Sequence, residues 1–180
     1  MGARYAVALS SATAGLHLAC LAFGVGGGDL VWTSPNTFVA SANCARYCGA
    51  DLDFIDIELD TGNISIDALS AKLVQAERIG RLPKLIIAVH FAGRSCDMQA
   101  INDLAKQYGF LVLEDAAHAI GATFQGAAVG ACQYSQAAVF SFHPVKIVTT
   151  GEGGVVTTND EMMYHRLLRL RSHGISRNPQ

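Results

Sequence analysis

Short apolar runs alternate with stretches of helical periodicity along the whole chain. Val7-Ala8-Leu9 reads as the end of a strand, and residues 12–23 as a helix. Residues 30–33 form the next strand, followed by a helix from about Thr37 that stops near Gly49. Residues 52–57 read as a strand. Ser65 then caps a helix reaching about Ile79, because a serine oxygen satisfies a free N–H of the first turn. Residues 84–89 are apolar and β-branched, as a strand buried on both faces is. Asp97 caps a helix whose Met98, Ile101, Leu104, Ala105 and Tyr108 recur at helical spacing, and Gly109 ends it. Residues 110–113 are another buried strand, and Gln125-Gly126 is a tight turn. Residues 139–142 and 155–158 read as further strands, and about 160–170 as the last helix.

This rhythm predicts an α/β fold, a mostly parallel sheet with helices on both faces. Ligands in such sheets bind outside the carboxyl ends of the strands. The 180 residues suit one domain with a sizeable core. Hydrophobic residues make up 51% and charged residues 16% of the chain, against roughly 25% charged in typical soluble domains. Such a chain is expected to bury surface against a second subunit or a further part of its own polypeptide. Its ends point the same way: it opens a few residues before the first strand and closes on Arg177-Asn178-Pro179-Gln180 without a terminating element.

Charge adds little drive toward nucleic acid or an anionic membrane, with 13 basic and 15 acidic residues and a net charge of -2. The apolar runs are broken well short of the ~20 residues that span a bilayer. The first residues lack a signal-peptide pattern, and Ala6 stands where an N-myristoylation motif wants Ser or Thr. Five cysteines without paired spacing predict buried free thiols and a cytoplasmic protein, not a disulfide framework or a metal site. Cys44 and Cys48, four apart, share a helix face.

Four features with chemical potential fall at strand ends or in the loops that follow. Ser10-Ser11-Ala12-Thr13-Ala14-Gly15 places small hydroxyl residues at a helix start, whose free N–H groups and positive dipole end suit a phosphate; a plain helix cap is the alternative. The Gly24–Gly28 run follows a helix and has Asp29 at the last glycine position of a dinucleotide fingerprint, so it reads as a turn. Glu114-Asp115-Ala116-Ala117-His118 ends a very apolar strand, where carboxylates need a cation. A pyridinium nitrogen would be one; a capping Asp115 or an Asp115/His118 metal pair are the alternatives. Ser141-Phe142-His143-Pro144-Val145-Lys146 leads into Thr149-Thr150-Gly151-Glu152-Gly153-Gly154. An amine in a partly desolvated pocket there can attack a carbonyl, although an exposed loop lysine has the same pattern. In Thr33-Ser34-Pro35-Asn36-Thr37-Phe38 the aromatic can stack on a flat ring or belong to the core.

Taken together and in this order, these segments resemble the large domain of the DegT-type (DegT/DnrJ/StrS) nucleotide-sugar aminotransferases, pyridoxal phosphate (PLP) enzymes of fold type I. Thr37-Phe38-Val39-Ala40-Ser41, His90-Phe91-Ala92-Gly93 and Arg171-Ser172-His173-Gly174 match as well, so the resemblance covers nearly all of the chain. It implies a mixed, mostly parallel seven-stranded sheet. By it, Lys146 holds PLP as a Schiff base and later moves the proton of transamination. Asp115 pairs with the pyridine nitrogen, and His118 lies near the ring and its phenolic oxygen. Ala12, Thr13 and Ser141 hold the phosphate, Phe38 stacks on the ring, and His90 lies toward the substrate. The resemblance points further to amination of C4 in UDP-linked 4-keto-6-deoxy-N-acetylhexosamines, as in pseudaminic acid and cell-surface polysaccharide synthesis, with glutamate as donor and a homodimer as the working form. Family members carry an N-terminal arm, a C-terminal domain and a phosphate-binding Asn lent by the partner subunit. Residues 1–180 are therefore expected to be an incomplete PLP-binding large domain. The alternatives are a sugar dehydratase of the same fold and a regulator that binds PLP without turnover. One dehydratase branch replaces the Schiff-base lysine by His, against Lys146; another needs an iron–sulfur cluster, for which these cysteines offer no clustered set.

Overall fold

The computed structural model describes residues 1–175; the segment from Arg177 to Gln180 lies outside them. Among the described residues nine strands and five α-helices follow in the order β1 (Tyr5–Leu9), α1 (Ala12–Ala22), β2 (Leu30–Thr33), α2 (Ala40–Tyr47), β3 (Asp51–Phe54), α3 (Ile66–Arg78), β4 (Leu85–Val89), α4 (Met98–Tyr108), β5 (Leu111–Asp115), β6 (Thr123–Phe124), β7 (Ala127–Ala128), β8 (Ala137–Ser141), β9 (Gly154–Thr158) and α5 (Glu161–Arg171). Seven strands form one mixed sheet in the order β1-β9-β8-β5-β4-β2-β3. Of these, β9 runs against the other six.

The sheet is the middle of three layers. In β4 all five residues are buried, and their alternation divides them between two cores. Leu85 and Ile87 join Leu16 and Ala19 of α1, Ala45 of α2 and Leu167 of α5. Ile86 and Ala88 face the other way, against Leu69 and Leu73 of α3 and Met98 and Ile101 of α4. Helix α1 lies close on the sheet at Gly15, where a Cβ would stand 2.8 Å from Val139 Cγ1. Ser65, Asp97 and Asp160 cap α3, α4 and α5 through their side chains, and Gly109 ends α4 in the left-handed region. Gln125 and Gly126 (φ 49° and 82°) make the turn between β6 and β7.

Two boundaries differ from the sequence expectation by three residues. Helix α2 starts at Ala40, not near Thr37, because residues 34–39 are tight turns: the Thr37 N–H bonds Pro35 O and the Ser41 N–H bonds Phe38 O. Strand β3 stops at Phe54. Ile57 instead forms a lone antiparallel bridge to Ile64, which closes the intervening turn. The five cysteines are unpaired; Cys20, Cys44, Cys96 and Cys132 are buried and Cys48 is half-buried. Among the described residues no helix is long and apolar enough to cross a membrane.

Candidate active site

Strands β1, β8, β5 and β4 end side by side at one edge of the sheet, and the antiparallel β9 begins there at Gly154. Over this edge lies a cavity of about 420 Å³, within the ~300–1,000 Å³ of ligand pockets. Its lining includes Ala12, Thr13, Phe38, His90, Asp115, His118, Ser141 and Lys146, brought there from five separate segments.

One wall is the start of α1. Ser11 caps the helix by accepting the Ala14 N–H at 3.1 Å. The N–H groups of Ala12 and Thr13 have no protein partner among the described residues and border the cavity. Free amides at the positive end of a helix form an anion seat. Ser141, nearly buried at the end of β8, adds a hydroxyl beside them. This seat depends on Gly154, whose added Cβ would lie 2.5 Å from Ala12 N and 2.6 Å from Ser11 O. Backbone cannot move aside as a flexible side chain can. Gly154→Ala is therefore expected to push the α1 start outward, cost about 1–3 kcal/mol of stability and weaken inorganic phosphate or PLP binding about tenfold. Urea unfolding and a PLP titration read the two effects.

The floor is the end of β5. Asp115 is 5% exposed, and its carboxylate accepts the Ala117 N–H at 3.1 Å and the Ser41 hydroxyl at 2.5 Å. Beside it, His90 is 1% exposed. Burial opposes a second proton on its ring, while the neighbouring Glu114 carboxylate favours one. The Cys96 amide decides the proton positions. It donates to Nδ1 at 3.1 Å, so Nδ1 must present a lone pair, and Nε2–H donates to Glu114 at 2.7 Å. We therefore read the ring as neutral. The substrate contact expected of His90 finds no free ring nitrogen; both tie β4 to β5 and the loop behind them.

The opposite wall is the β8–β9 loop. Pro144 fixes a turn in which the Lys146 N–H donates to His143 O. Thr149 Oγ1 and the Thr150 N–H both bond Phe142 O and draw the loop back onto the strand end. The half-buried Lys146 then donates from Nζ to His118 Nε2 at 2.7 Å, which places the proton of a neutral His118 on Nδ1. Partial burial and the Lys146 charge, opposed by Asp115, hold His118 below its ordinary 6.5. A histidine held low binds fewer protons folded than unfolded. Its contribution to stability is thus present above pH 6.5 and lost as pH falls through the folded value. An NMR titration should place the His118 midpoint below 6.5, and Lys146→Met should move it upward.

Phe38 sits 71% exposed at the mouth. Asn36, Thr37, His143 and Glu152 also line the cavity, and none of them was singled out from the sequence. Thr37 and Ser41 had a readable signal: two hydroxyls four apart, at helical spacing, inside a segment already chosen for Phe38. No group of three or more potential metal ligands occurs among the described residues.

The fold is that of PLP-dependent aminotransferases. The DegT/DnrJ/EryC1/StrS aminotransferase family matches residues 1–180, and the chain belongs to it. It is 43% identical over 174 residues to a UDP-4-amino-4-deoxy-L-arabinose–oxoglutarate aminotransferase of Shewanella sediminis, covering 97% of this chain and 42% of the relative. It is 44% identical over 176 residues to a UDP-4-amino-4,6-dideoxy-N-acetyl-β-L-altrosamine transaminase of Campylobacter jejuni, covering 97% and 45%. The solved structure of Helicobacter pylori PseC, an aminotransferase involved in the biosynthesis of pseudoaminic acid, superposes with a TM-score of 0.89 at 33% identity, covering 99% of this chain and 46% of that one. The chain spans less than half the length of the curated relatives it matches.

Proposed function

We propose that this chain is the PLP-binding large domain of a transaminase that moves an amino group from glutamate to a keto sugar nucleotide of the UDP-4-keto-6-deoxy-N-acetylhexosamine class. The observation that carries the reading is the single cavity joining free helix-start amides, a buried carboxylate and a half-buried amine. This donor set fits PLP: the Ala12 and Thr13 amides with Ser141 for its phosphate, Asp115 for its ring nitrogen, and Lys146 for its aldehyde carbon. When bound, PLP supplies a carbonyl that exchanges amino groups and a ring that takes up electrons.

The chain's own part is orientation and proton handling. Asp115, out of water, keeps a proton on the ring nitrogen by its charge. Lys146 would take up and return the transferred proton at Nζ, with neutral His118 accepting a hydrogen bond from that amine. Phe38 offers a flat apolar face at the mouth. The amino-sugar products in the names of two relatives and the oxoglutarate in one support the sugar and the donor. We read the working form as a cytoplasmic homodimer, in which exposed apolar residues at the mouth (Phe38, Val145) would be covered.

The test is a spectrum of the full-length protein loaded with PLP, before and after glutamate. Conversion to the pyridoxamine form with release of 2-oxoglutarate is expected, followed by amine transfer to the keto sugar nucleotide. PLP binding without conversion would mark a binding module instead and refute the transaminase reading.

A further inference from the structure

Three side chains form a directed hydrogen-bond chain that runs from the cavity floor through a residue behind the wall. Ser41 Oγ lies 2.5 Å from Asp115 Oδ2, and Thr37 Oγ1 lies 2.7 Å from Ser41 Oγ. Ser41 is 0% and Asp115 5% exposed, so water does not compete for the bond between them. A carboxylate only accepts, and a serine has one hydroxyl proton. The Ser41 proton therefore points to Asp115, and Thr37 must donate to the Ser41 oxygen. The Ala117 N–H holds the other carboxylate oxygen at 3.1 Å. With both oxygens engaged, the Asp115 carboxylate has one orientation.

The donors come from different elements, and that gives the chain its meaning. Ala117 lies just past Asp115, the last residue of β5, whereas Thr37 and Ser41 flank the stretch that carries Phe38 into α2. One short segment thus presents the aromatic at the mouth and anchors the acid on the floor. Ser41 itself is absent from the cavity lining.

We propose that Ser41, with Thr37 behind it, is a positioning residue that holds the Asp115 carboxylate oriented toward the ring nitrogen of PLP and so strengthens that nitrogen's hold on its proton. This rests on the PLP reading above. Losing the Ser41 hydroxyl leaves one buried acceptor unfilled and the carboxylate free to turn, so the ring nitrogen's proton is held less firmly.

The experiment compares wild type, Ser41→Ala, Ser41→Thr and Thr37→Val in the full-length protein loaded with PLP. Its main readout is the pH midpoint of the visible absorbance of bound PLP, which responds to charge at the ring nitrogen. Ser41→Ala should raise that midpoint by on the order of one pH unit. The glutamate half-reaction should fall about tenfold in kcat with KM little changed. Ser41→Thr should restore both, and Thr37→Val should move the midpoint the same way by less. A Ser41→Ala midpoint and kcat equal to wild type would overturn the proposal while leaving the PLP reading intact. A purely structural Ser41 would lower the thermal midpoint without moving the absorbance midpoint, and that result also overturns it. If Ser41→Ala does not fold, Thr37→Val decides: an unmoved midpoint is fatal to the relay. Failure of the wild type to bind PLP at all would defeat the cofactor reading itself.

Discussion

Lys146→Ala is expected to abolish borohydride-trapped attachment of PLP and to lower turnover by about 10²–10⁴-fold, the usual worth of one positioned proton-transfer group. The loss should fall on kcat, because the residues offered to the phosphate and ring nitrogen remain. Folding should survive: Lys146 is a half-buried loop residue, and the backbone bonds that shape its turn do not involve its side chain. PLP should still bind non-covalently, more weakly, through the Ala12–Thr13 amides and Asp115. Arginine should not rescue, since its planar, permanently charged guanidinium cannot act as an amine nucleophile. Mass spectrometry of the reduced protein locates the adduct, and single-turnover kinetics with glutamate measure the loss. An adduct that persists on another residue, or a rate within a few-fold of wild type, would refute the assignment of Lys146.

How much of this was legible in the sequence depended on how local each feature is. Strands β4, β5 and β8 were readable because they are buried on both faces and so nearly continuously apolar. That same apolarity made Asp115 and Ser141 conspicuous where the runs end. The helix starts at Ser65, Asp97 and Asp160 were readable because a cap is a contact across three residues. Residues 37–39 were misread as helix because the turns there are closed by backbone bonds, Ser41 N–H to Phe38 O among them, which no spacing rule encodes. The anchoring of His90 was beyond sequence reasoning for a similar reason. Its ring partners, Glu114 and the Cys96 amide, are 24 and 6 residues away, and only the pairing of β4 with β5 joins them. Gly154 showed as one glycine of a cluster. Its need for a bare Cα follows only from the α1 start lying across it.

Asp115→Asn should be nearly as damaging as loss of Lys146, and it is the more discriminating change because the side-chain shape is kept. The amide oxygen can still accept from either the Ser41 hydroxyl or the Ala117 N–H, so the end of β5 and the fold should hold. What disappears is a charge at a site only 5% exposed. Breaking such a buried pair costs about 3–5 kcal/mol, which at about 1.4 kcal/mol per decade is a factor of about 10²–10⁴ in kcat. The bound PLP should also shift its absorbance midpoint upward, as in Ser41→Ala but further. This links the two variants quantitatively. If Ser41 works only through the Asp115 charge, adding Ser41→Ala to Asp115→Asn should cost almost nothing more in kcat, whereas two independent contributions would multiply. A full tenfold further drop in the double variant would mean that Ser41 acts elsewhere. Wild-type kcat in Asp115→Asn would remove the carboxylate from the mechanism.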